Sequence, residues 1–122
     1  RFVVPFATGG TSEIIARSTA NSLSTQLGQS VYVENKPGAA GNIAMEEVKR
    51  AAPDGYTIIL GHIGTLAANP ALFGKKLPYD ANKDFAPVTL IAKVPNVIAV
   101  GKTSGIKTLA DLVNQAKEHI PP

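Results

Sequence analysis

The chain has 122 residues, 44% hydrophobic and 17% charged, with a net charge of +3 from 12 basic and 9 acidic side chains. That balance suits one soluble globular domain, or a piece of one. It excludes whole classes of function: without cysteine there is no disulfide, thiol chemistry or thiolate metal site, and basic residues never cluster beyond Lys75-Lys76 or interleave with aromatics as a nucleic-acid surface requires.

Arg1 to Pro5 reads as a short buried strand, because Phe2-Val-Val is continuously apolar instead of alternating. A helix is expected from Glu13 to Leu27. Ile15, Thr19, Leu23 and Leu27 recur every four residues, Ile14, Ala16 and Ala20 widen that stripe, and Gly28 stands at the C-terminal cap position. Ser30-Val-Tyr-Val-Glu34 is β-branched and alternating, which predicts a second strand closed by Asn35-Lys-Pro-Gly38. Ala39 to Ala52 predicts a second helix, with Ile43, Val48, Ala51 and Ala52 available to pack, and Pro53-Asp-Gly55 ending it. Tyr56 to Leu60 is the third strand. Strand and helix alternating in this way imply an α/β fold with a mostly parallel sheet and flanking helices.

Beyond Leu60 the rhythm changes. Gly61 to Pro70 is a small-residue loop running into a helical turn at Leu66–Leu72, and 74–83 is polar and irregular. The apolar runs Val88–Ala92 and Val97–Val100 read as two more strands. Thr108 to His119 reads as an amphipathic helix capped by Thr108, with Asp111 in its first turn and Leu109, Leu112, Val113 and Ala116 along one face. No stretch of about 18 apolar residues occurs to cross a bilayer as a helix.

The stretch Phe6-Ala-Thr-Gly-Gly-Thr-Ser12 raises the question of a ligand. A dinucleotide fingerprint needs G-x-G-x-x-G, and only Gly9-Gly10 is present; a P-loop needs a lysine after the glycines. Gly101-Lys-Thr103 imitates the end of a P-loop, but Asn96 stands where the upstream glycine belongs and an apolar run fills the interval. The glycines can simply make a tight turn. They can also leave the first amides of the helix open to a carboxylate, with the hydroxyls of Thr11 and Ser12 beside them, although Glu13 competes for the same dipole. Pro37-Gly-Ala-Ala-Gly-Asn42 and Gly61-His-Ile-Gly-Thr65 repeat the pattern, and all three loops are expected at the carboxyl ends of parallel strands, where open α/β sheets bind ligands. Ser12, His62 and Asp54 assemble a catalytic triad only on paper, with no nucleophile elbow to support it. His62 has no partners at metal-ligand spacing, and His119 suits a helix C-terminus; no metal and no cofactor are expected.

Taken in order, Val3-Val-Pro-Phe6, Gly9-Gly10, Ala16-Arg17, Val33 to Ala39 with Gly41-Asn42, Ala52-Pro-Asp-Gly-Tyr-Thr57, Asn69-Pro70 and Asp84-Phe-Ala-Pro-Val88 resemble the Bug-type substrate-binding proteins of tripartite tricarboxylate transport systems. The resemblance implies a non-enzymatic, periplasmic solute-binding protein of the type II, Venus-flytrap architecture. Such a protein captures a dicarboxylate, acidic amino acid or similar acid through amides, hydroxyls and water, and delivers it to membrane transporter subunits. Residues 1–122 would be its first lobe, with 102–122 a linker and first helix toward the second. No signal peptide is present in the chain, and the stop at Ile120-Pro-Pro122 suggests a truncated first domain. Carried over by position, the ligand side would comprise Phe6, Ala7, Thr8, Gly9, Gly10, Thr11, Ser12 and Glu13 with Gly61, His62, Ile63, Gly64 and Thr65. Ala7-Thr8 replaces the usual prolines, and Ser12-Glu13 the usual Thr-Asp, so ligand preference at this loop is its own. The alternatives are an α/β enzyme domain using Ser12 or His62, and a ligand-free scaffold; a truncated lobe is also expected to pair into a homodimer by exchanging 88–100 or the last helix.

Overall fold

A central strand of three apolar residues organises the first part of the chain. In the computed structural model, which describes residues 1–119, β1 (Phe2–Val4) is wholly buried. It pairs in parallel with β2 (Val33–Asn35) on one side and β3 (Ile58–Ile59) on the other, in the order β2-β1-β3. The register sets Phe2 opposite both Val33 and Ile58. Between β1 and β2 runs α1 (Thr11–Leu27), and between β2 and β3 runs α2 (Asn42–Lys49). Because the chain crosses from one side of β1 to the other, right-handed connections place the two helices on opposite faces of the sheet.

The predicted face of α1 is displaced. Ala16 and Ala20 are its buried centre, packed with Phe2, Val4 and Leu60, while Ile14 and Leu27 are exposed. Two alanines let the helix axis approach the strand closely, so Ile15, Thr19 and Leu23 of the expected stripe stay half-buried at its margin. Gly28 caps the helix in the left-handed conformation (φ 63°), as its position predicts. The second helix is likewise shifted: Met45 and Ala44 are buried and Ile43 is half exposed. It is shorter than the predicted Ala39–Ala52. Ala39–Gly41 forms a separate tight turn with Ala39 and Ala40 at positive φ, and the far end closes with short bonds from the Arg50 and Ala51 amides to Glu47 and Val48 carbonyls. The strands are trimmed to the residues that find ladder partners, so Ser30–Glu34 becomes Val33–Asn35 and Tyr56–Leu60 becomes Ile58–Ile59.

The chain then turns through a wide π-helical segment (Gly64–Ala68), α3 (Asn69–Phe73) with Pro70 in its first turn, and a 3₁₀ turn (Gly74–Lys76). The expected strands at Val88–Ala92 and Val97–Val100 are not formed. Neither run has a ladder partner among the described residues, Val88, Leu90, Val97 and Ile98 are exposed, and an unpaired extended segment has no sheet to join.

The chain divides into two compact units, Arg1–Ala92 and a second beginning at Lys93. In the second, α4 (Leu109–Glu118) starts with a capping box: the Asp111 amide donates to Thr108 Oγ1 (3.1 Å) and the Thr108 amide to Asp111 Oδ2 (2.9 Å). His119 closes it with Nδ1 2.8 Å from the Gln115 carbonyl oxygen. Ile120-Pro-Pro122 lies outside the described residues.

Four charges bind β1, β2 and α2 together. Arg1 pairs with Glu34 (2.5 Å) and with Glu47, and Lys36 bridges the same two carboxylates at 3.2 and 3.1 Å. Lys36 and then Arg1 hold both carboxyls below the usual glutamate range. A group with a depressed folded pKa contributes stability above its unfolded value and loses it on acidification. The melting temperature should therefore fall as pH drops below 4.5, the ordinary glutamate value. Glu47→Gln should melt lower at pH 7 and lose less on acidification; parallel pH profiles for the two proteins would show that the cluster adds nothing.

Candidate functional site

All three strands end at the same edge of the sheet, and from β1 the chain goes first to β2 on one side and later to β3 on the other. The connections after β1 and β3 therefore leave from adjacent strand ends at the carboxyl edge, the edge along which open α/β sheets bind ligands. Those two connections contain every residue singled out above, Phe6–Glu13 and Gly61–Thr65.

The loop after β1 is tied at its base and open at its tip. Pro5 is fully buried, and the Phe6 carbonyl accepts from Asn35 Nδ2 at 2.9 Å, fastening it to the end of β2. The Phe6 ring meets His62 edge-on with centroids 5.1 Å apart, which joins the loops after β1 and β3. Ala7, Thr8, Gly9, Gly10 and Thr11 are exposed; Ser12 and Glu13 are half-buried. Gly10 is the N-cap of α1 in extended conformation, and no side chain caps it directly. The amides leading into this terminus are not all free, however. Glu13 turns back so that its Oε2 accepts from the Gly9 amide at 2.5 Å, while Oε1 pairs with Arg17 at 2.7 Å. The Gly9 amide, followed by Arg17, holds the Glu13 carboxyl below its ordinary range. A resident negative charge therefore shares this helix terminus with any incoming acid.

In the loop after β3, Gly61, His62 and Ile63 are exposed, Gly64 is half-buried and Thr65 fully buried. His62 Nδ1 accepts from the Gly64 amide (3.0 Å), so in the neutral ring the proton sits on Nε2. Thr65 Oγ1 donates to the His62 carbonyl (3.1 Å) and faces the His62 amide at 3.3 Å, closing the turn on itself. The paper triad does not assemble: Asp54 accepts from the Tyr56 amide within its own turn, and Nδ1 of His62 is occupied. Among the described residues no group of three acidic or histidine side chains could hold a metal ion.

The third loop, 38–42, is the meeting point of the other two. Gly41 has φ 89°, and a Cβ there would lie 2.6 Å from Thr65 Cγ2 and 3.3 Å from Pro5 Cβ. Sequence reasoning placed this loop at the correct edge but missed what holds it. Asn42, Asn69 and Tyr79 are buried polar residues arranged around it. Asn69 Nδ2 donates to the Ala40 carbonyl (3.0 Å) and to Asn42 Oδ1 (2.7 Å). The Tyr79 hydroxyl donates to the Thr65 carbonyl (2.6 Å) and lies 3.2 Å from Asn42 Oδ1. Burial pushes the Tyr79 phenol pKa up. The signal available in the sequence was an asparagine at the start of each of two helices within apolar surroundings, which marks a satisfied buried amide as readily as a cap.

The parallel strand order with its flanking helices is an α/β fold of the kind found in periplasmic binding proteins. A family model described as tripartite tricarboxylate transporter family receptor matches residues 15–121, and the chain belongs to that family. A UPF0065 protein of Bordetella bronchiseptica is 44% identical over 117 residues, 96% of this chain and 35% of that relative. Among solved structures, a periplasmic transporter superposes with a TM-score of 0.89 at 45% identity, covering 98% of this chain and 40% of the other. An R. palustris protein with adipate gives 0.87 at 42% identity, covering 97% of this chain and 39% of the other. MatC from Rhodopseudomonas palustris with bound malate gives 0.69 at 47% identity, covering 74% and 31%. The family is thus one of transporter receptors, and the chain spans about a third of the length of the curated relatives it matches.

Gly41→Ala should be costly, because it adds an atom where three loops meet and demands positive φ from a residue with a Cβ. We expect a loss of roughly 2 kcal/mol or more in unfolding free energy, read by urea denaturation. Gly10→Ala serves as the control, since a Cβ at Gly10 meets nothing within 4 Å; equal losses for the two would show that the meeting point is loosely packed.

Proposed function

We propose that the chain is the first lobe of an extracytoplasmic solute receptor that captures a small carboxylate, a dicarboxylate first among them, and presents it to the membrane subunits of a tripartite tricarboxylate-type transporter. Residues 102–122 then lead toward a second lobe that closes over the solute. The observation that carries this reading is the convergence of the loops after β1 and β3 at the carboxyl edge, joined by the Phe6–His62 contact. Adipate and malate in two structural neighbours support a dicarboxylate, and neighbours from the periplasm support that compartment.

The chemistry of the two loops agrees. Neither carries a lysine or arginine to clamp an acid, so recognition falls to the amides and hydroxyls of Thr8 to Ser12, to the loop Gly61–Thr65 and to the Nε2–H of His62. Glu13 occupies part of the α1 terminus, which favours an acid that approaches through ordered water over one seated directly on the helix dipole.

Calorimetric titration of the complete protein with malate, adipate, acidic amino acids and neutral sugars should give saturable binding to an acid and none to the sugars. Gly10→Asp should weaken that binding about tenfold by adding negative charge at the helix terminus. Unchanged affinity would remove the opening loop from the site, and failure of every acid to bind would reject the carboxylate reading.

A further inference from the structure

Three chain segments that are separated in sequence meet in one buried polar cluster beneath the ligand edge. Asn42 opens α2, Thr65 lies in the π-helical segment, Asn69 opens α3 and Tyr79 follows the 3₁₀ turn. All four are buried, at 8, 0, 4 and 5% exposure, and among the described residues no buried side-chain nitrogen or oxygen lacks a partner. Burying this many polar groups is tolerated only when all are satisfied, and a satisfied cluster fixes one arrangement because every alternative leaves a donor or acceptor bare.

What the cluster holds is unusual. From Gly38 to Gly41 four consecutive residues have positive φ (130°, 46°, 54° and 89°), two of them alanines, for which that conformation is costly. A free loop would relax. Here the Ala40 carbonyl is held by Asn69 Nδ2, and Asn69 is in turn fixed by Asn42 Oδ1. On the other side, the Tyr79 hydroxyl holds the Thr65 carbonyl, at the foot of the turn that carries His62. The loops 38–42 and 61–65 are thus fastened to one frame, from below and away from solvent.

We propose that Asn42, Asn69 and Tyr79 are positioning residues: they set the mutual placement of the strained Gly38–Asn42 turn and the Gly61–Thr65 loop, and through that placement the affinity for solute. The second half of this statement rests on the solute-binding reading above. Asn69 and Tyr79 lie outside the loops that face the crevice, so their effect on binding runs through the backbone they hold.

The test is Tyr79→Phe in the complete protein, which removes one hydroxyl and keeps the ring. Three quantities are measured together: melting temperature, affinity for malate and adipate at a temperature where the variant is fully folded, and amide hydrogen exchange. The informative amides are Gly41, bonded to the Gly38 carbonyl, and Leu66, bonded to the His62 carbonyl; Leu60, bonded to Val3 in the sheet, is the reference. We expect Gly41 and Leu66 to exchange about tenfold faster and affinity to fall about tenfold, the scale of one lost buried hydrogen bond, with Leu60 unchanged. Loop amides that exchange as in wild type, or that speed up only in step with Leu60, overturn the proposal, as does faster loop exchange with unaltered affinity. If the wild-type protein binds no acid, the solute-binding reading fails, and exchange at Gly41 and Leu66 alone then decides whether the cluster positions the loops. Should Tyr79→Phe not fold, Asn69→Asp, which keeps the shape and removes both donated bonds, is subject to the same comparison.

Discussion

The placement of β1 between two parallel neighbours is the constraint on which the rest of the first unit depends. A strand of three residues is too short to be stable alone, so its burial must come from both faces and both edges. Ala16 and Ala20 cover one face closely, α2 covers β1 and β3, and the ladder to β2 and β3 removes the edges. Once the chain has crossed from one side of β1 to the other, the carboxyl ends of β1 and β3 necessarily face a common gap. The candidate site is thus a product of topology first and of particular side chains second.

Much of this order was legible in the sequence. The apolar run Phe2-Val-Val and the glycine after Leu27 mark where elements lie and end, the turn at Pro53-Asp-Gly55 separates α2 from β3 without touching either, and each acts locally. The α1 face was less legible, since a stripe of isoleucine and leucine suggests burial more strongly than a pair of alanines does. Only the spacing between helix and sheet decides that the small residues win. Val88–Ala92 and Val97–Val100 read as strands because their composition is that of strands, but a strand exists only where a partner supplies hydrogen bonds, and no local pattern reports the partner.

The site divides along the same line. Glycine-rich loops at strand ends announce themselves, and Phe6–Glu13 and Gly61–Thr65 lie at the expected edge. The cluster of Asn42, Asn69 and Tyr79 does not, because its members are separated by 10 to 37 residues and each has an ordinary alternative as a cap or a surface polar group. The positive φ of Ala39 and Ala40 was equally hidden, since alanine in Pro-Gly-Ala-Ala-Gly reads as the start of a helix. Glu13 was visible as a competitor for the helix terminus, and the bond it makes to the Gly9 amide shows how that competition is settled.

The crowding at Gly41 separates what can vary at this sheet edge from what cannot. Where a single hydrogen is all the room available, a larger side chain can enter only by displacing Thr65 or Pro5. Above that point, Ala7, Thr8 and Ile63 stand in open solvent, free to be exchanged without disturbing anything beneath them. The rim of this sheet edge can therefore accept substitutions that its footing cannot.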